Sequence, residues 1–439
     1  MFADRRQFLR ATATAFAALS ASGCMRTGAI AGVGGATGEA GYGALQADAA
    51  GLLDLPAGFS YRVISSLGDA MSDGGTVPDR ADGMGCFDLG NGRLALVRNH
   101  ELQPQHDSGG ATGPAYDTVA RSLIPLPGGT TTLVLDARTL AVERQHRSLS
   151  GTIRNCAGGS TPWGSWLTCE EDLTRPGPRA NKDHGWVFEV PAAATGPVDP
   201  VPLKAMGRFN HEAACVDPAS GIAYLTEDRN DGLFYRFIPT HPGRLAEGGV
   251  LQALAIDGVA NSSNSGTALM ALGEWMGARW ITLDNVEAPD DDLRLRGAAA
   301  GATIFSRGEG LHMGDGEVYF CCTNGGAAEL GQIFRLRPRQ HGLDAVQLFF
   351  ESTSTDQFNY GDNLTVAPNG HLVICEDQYT DVVDNHLRGI TPDGRAYPLG
   401  RLRTQTELAG ACFSPDGRVL FVNLYSPAKT LAITGPWIA

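Results

Sequence analysis

The sequence predicts an all-β fold, a six-bladed β-propeller with four-stranded antiparallel blades. Six segments repeat one pattern: two apolar residues, a Pro/Asp/Gly turn, then an alternating apolar strand. Glycine is abundant, at 57 of 439 residues beside 24 prolines, as many short strands joined by tight turns require. No long amphipathic helix is evident. A jelly roll or two stacked sandwiches would also be all-β, but neither explains six copies of one hairpin.

The repeats begin at Cys86, Thr161, Cys215, Leu311, Leu364 and Cys412, with turn glycines at 92, 164, 221, 316, 370 and 417. Turns such as Asp-Pro-Ala-Ser-Gly and Ser-Pro-Asp-Gly put glycine where a positive φ is needed. Intervals of 47 to 95 residues leave room for four strands and loop insertions. Outer strands begin at Thr132, Trp186, Phe234 and Ile333.

The N-terminus reads as a targeting segment. Asp4-Arg5-Arg6-Gln7-Phe8-Leu9-Arg10 is a twin-arginine pattern, followed by an alanine-rich run from Ala11 to Leu19 that is too short to span a bilayer. Ser20-Ala21-Ser22-Gly23-Cys24 is similar to a lipoprotein cleavage site, although Ala21 stands where Leu is preferred. Residues 1–24 are therefore expected to be a twin-arginine signal, residues 25–50 a Gly/Ala-rich linker, and residues 51–439 the propeller. The expected location is the periplasm or cell envelope, reached through the twin-arginine translocation machinery, which carries folded cargo. The chain end there is either lipidated at Cys24, giving a membrane tether, or cleaved nearby. No other apolar run approaches 18 residues, so the mature chain is not expected to span a membrane. A monomer is expected.

Net charge is −14, with only three lysines. A nucleic-acid partner would call for the opposite sign. Such acidity is less odd where bound cations neutralise clustered carboxylates. The nine cysteines include no CxxC pair, which excludes a zinc ribbon, and their spacing gives no disulfide framework. Most fall inside expected strands, where Cys behaves as a small hydrophobe.

Registered on the turn glycines, the repeats align polar residues. Six positions on stand Arg98, Glu170, Glu227, Cys322, Glu376 and Asn423. Seven on stand Asn99, Glu171, Asp228, Thr323, Asp377 and Leu424. A second set, Asp82, Asn155, Glu212, Asp362 and Glu407, lies eight to ten residues before the glycines, with Glu309 at seven. Both sets should converge near one end of the axis. Clustered carboxylates repel one another, and become the required oxygen cage when cations bind. Cys169 beside Glu170, and Cys375 beside Glu376, are either buried apolar residues or a thiolate ligand for a softer metal such as iron beside calcium. His100 and His211 are ligands, acids or core histidines. Arg307 near Glu309 is an anion clamp or a salt-bridge partner. There is no GxSxG elbow, P-loop, Rossmann fingerprint or HExxH.

The runs NHE, NCAGGSTPWGSWLTCEED, GRFNHEA, YLTED, SRGEG, DNLTVAPNGHLVICED and FSPDGRVLFVN resemble the PhoX-type alkaline phosphatases, over about residues 50–430. TPWGSWLTCEE is the most specific part. The resemblance implies a six-bladed propeller with a multinuclear centre of Fe³⁺ and Ca²⁺ that hydrolyses small-molecule phosphate monoesters. Carried onto matching positions, it implies Cys169, Glu170 or Glu171, Glu212, Glu309, Glu376 and Asp377 as ligands, with Glu227 and Asp228 beside them. Asn99 and Arg307 would contact phosphate, and the reaction would be metal-assisted in-line hydrolysis. The sequence departs from the family in two ways. The mature chain is short, and Gln103–Gly129 contains no Lys for the basic phosphate contact expected near there. Loss of that contact would cost on the order of a few kcal/mol of transition-state stabilisation. The other readings are a calcium-dependent propeller lactonase or esterase, and a non-catalytic, calcium-stabilised periplasmic binding propeller.

Overall fold

The computed structural model of the chain describes residues 40–437, apart from 111, 112, 268, 269, 340, 341, 379 and 381. The signal segment, Cys24 and residues 25–39 of the expected linker lie outside the described residues. Residues 40–50 of that linker belong to the fold instead. Leu45–Gln46 pairs with Leu53–Pro56, and the Tyr42 ring packs edge-on against Phe59, Tyr397 and Trp437. Aromatic burial anchors a stretch whose Gly/Ala content alone suggested a free tether.

The fold is all-β and propeller-like. Its scaffold is six hairpins: β1 (Ala81–Gly90) with β2 (Arg93–His100), β3 (Asn155–Ser160) with β4 (Ser165–Glu170), β5 (His211–Val216) with β6 (Ala223–Glu227), β7 (Gly308–Gly314) with β8 (Glu317–Cys322), β9 (Gly361–Val366) with β10 (Leu372–Glu376), and β11 (Leu408–Phe413) with β12 (Val419–Leu424). All six turn glycines have φ between 71° and 86°, a region closed to most side chains. The first strands neighbour one another in chain order, and β11 returns to β1.

These hairpins feed five hydrogen-bonded sheets. The first hairpin adds Gly128–Asp136 and Val142–Thr152 to make four strands. The second adds only Val187–Pro191, because three prolines in the following Pro-Val-Asp-Pro-Val-Pro segment carry no backbone N–H, and that segment makes a single bridge, Phe188 to Pro202. The third and fourth hairpins share a nine-stranded sheet. Trp275–Thr282 joins their outer edges by pairing with Gly249–Ile256 on one side and Asp344–Glu351 on the other. The fifth hairpin's sheet gains Leu53–Pro56 and, at its edge, Leu45–Gln46. The last sheet is closed by the N-terminal segment, since Ser60–Ser66 pairs with Lys429–Thr434. Four-stranded sheets therefore hold the first and last hairpins, and the others depart from that expectation through proline content or inserted strands.

Apolar clusters fill the space between neighbouring sheets. Leu96 and Leu133 meet Phe421, and Val97 meets Trp166 and Phe188. Tyr224 and Phe234 meet Phe320. Burying each such side chain contributes roughly 1.5–3 kcal/mol. Among the eight described cysteines, Cys86, Cys169, Cys215, Cys321, Cys322, Cys375 and Cys412 belong to or pack on these clusters. Cys156 belongs to none of them.

Candidate metal centre

Every hairpin breaks register at the start of its first strand. In the first, Ala81 pairs with His100 and then Met84 with Arg98, so three steps along β1 face two along β2. The same slip occurs at Asn155/Gly158, His211/Ala214, Gly308/Leu311, Gly361/Leu364 and Ala409/Cys412. A bulge bends the strand and re-aims the released side chain. The first released residues are Asp82, Cys156, Glu212, Glu309, Asp362 and Gly410. Five of the six carry a metal-type donor atom, and all five are buried.

A second ring follows the hairpins' second strands. The backbone N–H groups of Glu101, Glu171, Asp228, Thr323 and Asp377 donate to the carbonyls of Arg80, Arg154, Asn210, Arg307 and Tyr360 at 2.8–3.2 Å. Arg80, Arg154, Arg307 and Tyr360 sit two residues before a released bulge residue and have φ of 55°, 47°, 52° and 53°. A left-handed backbone at a bulky residue costs about 1–2 kcal/mol. Here that geometry recurs around one cavity.

The cavity has a volume of about 530 Å³ and is lined by eight carboxyl side chains, the Arg80, Arg154 and Arg307 guanidinium groups, Cys156 and Tyr425. Three groups of donor atoms lie within 4.8 Å of one another: Glu101, Cys156 and Glu171; Asp82, Glu101 and Glu407; Glu212, Glu309 and Asp362. Two carboxylates at that spacing repel by about 3 kcal/mol at an effective dielectric of 20. Burial, then Asp362 and Glu101, push Asp82 well above the usual carboxylate range. Burial, then Glu309 and Asp362, do the same to Glu212. Burial raises Asp362 to about 7 and Asp377 to about 6. Burial, then Asp82, also raises the Cys156 thiol.

Two arginines organise the acids. Arg154 Nη2 lies 2.6 Å from Glu101 Oε1 and 2.7 Å from Glu171 Oε2. Arg307 donates to both oxygens of Asp228, at 2.8 and 3.1 Å, and to Glu309 Oε1 at 2.8 Å. Three guanidinium groups do not balance nine carboxyl groups. Oδ1 of Asp82, both oxygens of Glu212 and Oδ1 of Asp377 are buried with no hydrogen-bond partner. A buried carboxylate oxygen without a donor is costly unless a cation meets it. The donors, oxygen with one sulfur, suit hard cations together with one that accepts a thiolate.

The residues singled out from sequence divide into two groups. Glu171, Asp228, Arg307, Glu309 and Asp377 line the cavity, and Glu212 joins Glu309 and Asp362. Cys169, Glu170, Glu227, Glu376 and Asn99 are not brought there. The thiol of Cys169 packs with Leu167, Val187 and Leu225 in an apolar cluster. Glu170, Glu227 and Glu376 share a strand-end position and fasten each second strand to its neighbour. Glu170 accepts from the N–H of Ile153, Gly185 and Trp186, and from His184 Nδ1 at 2.6 Å. Glu227 accepts from Leu233 N and from the Tyr235 hydroxyl at 2.6 Å. Glu376 accepts from Asn359 N, His386 N and Arg388 Nε. Alternation explains the split, since the residue after each of these three points the opposite way, into the cavity. Asn99 lies behind the cavity wall. Its amide donates to the carbonyls of Cys156 and Ala157 at 2.9 and 2.8 Å and accepts from Trp166 Nε1 at 2.9 Å. His100 bonds Asp79 O and Thr131 Oγ1, and His211 bonds Gly207 O while stacking on Phe209, so both are structural.

Counting from the turn glycines missed Cys156, Arg80, Arg154 and Tyr425. The first three did leave a signal. Arg80-Ala81-Asp82, Arg154-Asn155-Cys156 and Arg307-Gly308-Glu309 are one Arg-x-ligand triplet at three hairpins. They also bring basic groups to the cavity that the lysine-free segment Gln103–Gly129 does not.

The family described as alkaline phosphatase PhoX matches residues 40–140 and 136–428, nearly the whole described chain. No curated protein matches the sequence. Among solved structures, the vanadate complex of Pseudomonas fluorescens PhoX, vanadate being a transition-state analogue there, aligns with a TM-score of 0.67 at 20% identity. That alignment covers 88% of this chain and 96% of the other. A gluconolactonase of Xanthomonas campestris aligns with a TM-score of 0.40 at 14% identity, covering 90% of this chain and 98% of that one.

Proposed function

We infer that this chain, which belongs to the PhoX alkaline phosphatase family, hydrolyses phosphomonoesters in the acid-lined cavity with the help of bound cations. The observation that carries the cation requirement is Glu212, a fully buried carboxylate with neither oxygen hydrogen-bonded, beside Glu309 and Asp362. Asp82, Cys156, Glu212, Glu309 and Asp362 would hold the ions, with Glu101, Glu171, Asp228, Asp377 and Glu407 around them. We take the ions to be Ca²⁺ and Fe³⁺, the thiol of Cys156 being the feature that favours iron. Such ions polarise phosphoryl oxygens and lower the pKa of a coordinated water.

The chain's own residues bind and orient. Arg80, Arg154 and Arg307 offer guanidinium N–H groups to the non-bridging phosphoryl oxygens, where charge grows in the transition state. Asp228 and Glu309 hold Arg307, and Glu101 and Glu171 hold Arg154, so neither guanidinium reorients on substrate binding. Tyr425 donates its hydroxyl proton to Glu101 and accepts from Arg80 Nη1 at 2.5 Å, which fixes the third arginine. Asn99 acts from behind, by holding the Cys156 bulge.

We count six blades, one per hairpin, and read the nine-stranded sheet as two blades bridged by Trp275–Thr282. The twin-arginine pattern and Cys24 support export to the periplasm or cell envelope, with lipid as a tether. The reading is tested by purifying the protein, counting metals by mass spectrometry, recording the visible spectrum, and assaying a chromogenic phosphomonoester with and without chelator. Iron plus calcium, a thiolate-to-iron absorption band and chelator-sensitive hydrolysis are expected. Calcium alone with no phosphomonoester turnover would sink it.

A further inference from the structure

We propose that a second, polar cavity beside the acid-lined one receives the alcohol portion of the substrate and selects phosphomonoesters of polyols, whose leaving groups carry several hydroxyls. This rests on the phosphatase reading above and names the substrate class of the same site. The second cavity has a volume of about 370 Å³, within the range of small-molecule sites. It shares Arg154, Glu171, Asp228 and Arg307 with the acid-lined cavity. A phosphoryl group held between Arg154 and Arg307 would therefore sit where the two cavities meet, with the second cavity open to its ester oxygen.

The unshared wall is chemically distinct. Asp172, Asn210, Arg229 and Asn230 line it, with Leu173 as the one hydrocarbon side chain and no aromatic ring. Asn210 bridges the two cavities, donating to Glu171 Oε1 at 2.9 Å and accepting from Arg229 Nη2 at 3.3 Å. Arg229 Nε is buried with no hydrogen-bond partner, a donor that lacks an acceptor. Asn230 Oδ1 accepts from Asn324 Nδ2 at 3.0 Å, and Asn324 is held in turn by the Ser306 hydroxyl at 2.8 Å. The backbone N–H of Arg307 donates to Arg229 O at 2.8 Å, so the arginine on the phosphate side and this wall move as one piece.

Carboxylate, amide and guanidinium groups side by side match hydroxyls, each of which donates and accepts. An aryl or alkyl leaving group would strip water from these polar atoms and return no hydrogen bond. A site built to bond a substrate hydroxyl rejects the analogue lacking it far more strongly than an apolar pocket rejects a missing methylene.

The purified protein with its cations is assayed on glycerol 1-phosphate and on phenyl phosphate, wild type beside Arg229→Ala and Asn230→Ala. Comparing each substrate across variants removes the intrinsic difference in leaving-group reactivity. Each variant should lower kcat/KM on glycerol 1-phosphate about tenfold more than on phenyl phosphate, the loss of a hydrogen bond to a charged or fixed polar group. Asn230→Ala keeps the test open should Arg229→Ala fail to fold. An equal loss on both substrates, no loss, or a larger loss on phenyl phosphate overturns the subsite and leaves the phosphatase reading standing. A wild-type protein that carries its cations and hydrolyses neither compound overturns the phosphatase reading, and the subsite falls with it.

Discussion

Cys156 Sγ lies 3.6 Å from Asp82 Oδ2, across the seam between the first two hairpins. The thiol and the carboxylate are the first released residues of adjacent bulges, so one backbone irregularity aims both at the same place.

Replacing that thiol should separate it from its neighbour in sequence. Cys156→Ser is expected to lose iron and the thiolate absorption band, and to lower the phosphatase rate about a hundredfold or more, as loss of a metal ligand does. Cys169→Ser puts a hydroxyl among Leu167, Val187 and Leu225. It should lower stability by about 1–3 kcal/mol while metal content holds. Metal counts that reverse this order would reject Cys156 as the ligand.

Glu212 offers a test with opposite signs. In the metal-free protein its charge is an unmet cost. Its folded pKa is raised, so that cost grows as pH rises above the ordinary carboxylate value and is fullest at alkaline pH. At pH 9, after chelation, Glu212→Gln should melt at a higher temperature than wild type, by about 1–3 kcal/mol of stability. With cations present the same variant should bind less metal and turn over more slowly. A stripped variant less stable than stripped wild type would show that Glu212 already has a protein partner.

Asn99 should behave as a positioning residue. Asn99→Ala removes the bonds it makes to the Cys156 and Ala157 carbonyls and to Trp166 Nε1. A stability loss of about 2–4 kcal/mol is expected, with kcat falling more than KM rises. A change confined to KM would instead put the amide on the substrate.

His184 predicts an alkaline limit on stability. It sits fully buried, with Nδ1 2.6 Å from Glu170 Oε1 and Nε2 3.3 Å from Asp117 Oδ2. Burial alone would lower its pKa, but the charge of Glu170 and the bonds to Asp117 and Glu170 outweigh it and raise the value from 6.5 to about 9. A cationic group with a raised folded pKa stabilises fully below its unfolded value and loses that contribution as pH climbs through the folded one. Up to about 3 kcal/mol is at stake. Melting temperature should decline between pH 7 and 10 in wild type and less steeply in His184→Gln. Parallel slopes would assign the decline to other groups.

Much of this was legible in the sequence because a hairpin leaves a local signature. Each turn needs a glycine with positive φ, and six stood in comparable settings. The bulges are set by pairing with another strand and carry no turn glycine, only the Arg-x-ligand triplet at three of the hairpins. Turn lengths also differ, so Asp82 lies ten residues before its glycine, Cys156 eight and Gly410 seven, and counting from the turn slides across the ligand position. Adjacent acids misled for a second reason. Glu170 and Glu171 read as one pair, yet the pleat sends one toward His184 and the other into the cavity.

If the cavity takes up cations as proposed, their capture has to wait for the last strand. Ser60–Ser66 is synthesised early and stays unpaired until Lys429–Thr434 arrives to zip against it. Asn423 Nδ2 donates to Asp82 O at 2.5 Å, so the first bulge is anchored by a residue made 341 positions later. A nascent or truncated chain holds only scattered acids that repel one another. Under the proposed function, loading with ions would therefore certify a finished molecule, and an export route that accepts only folded cargo would receive this one already filled.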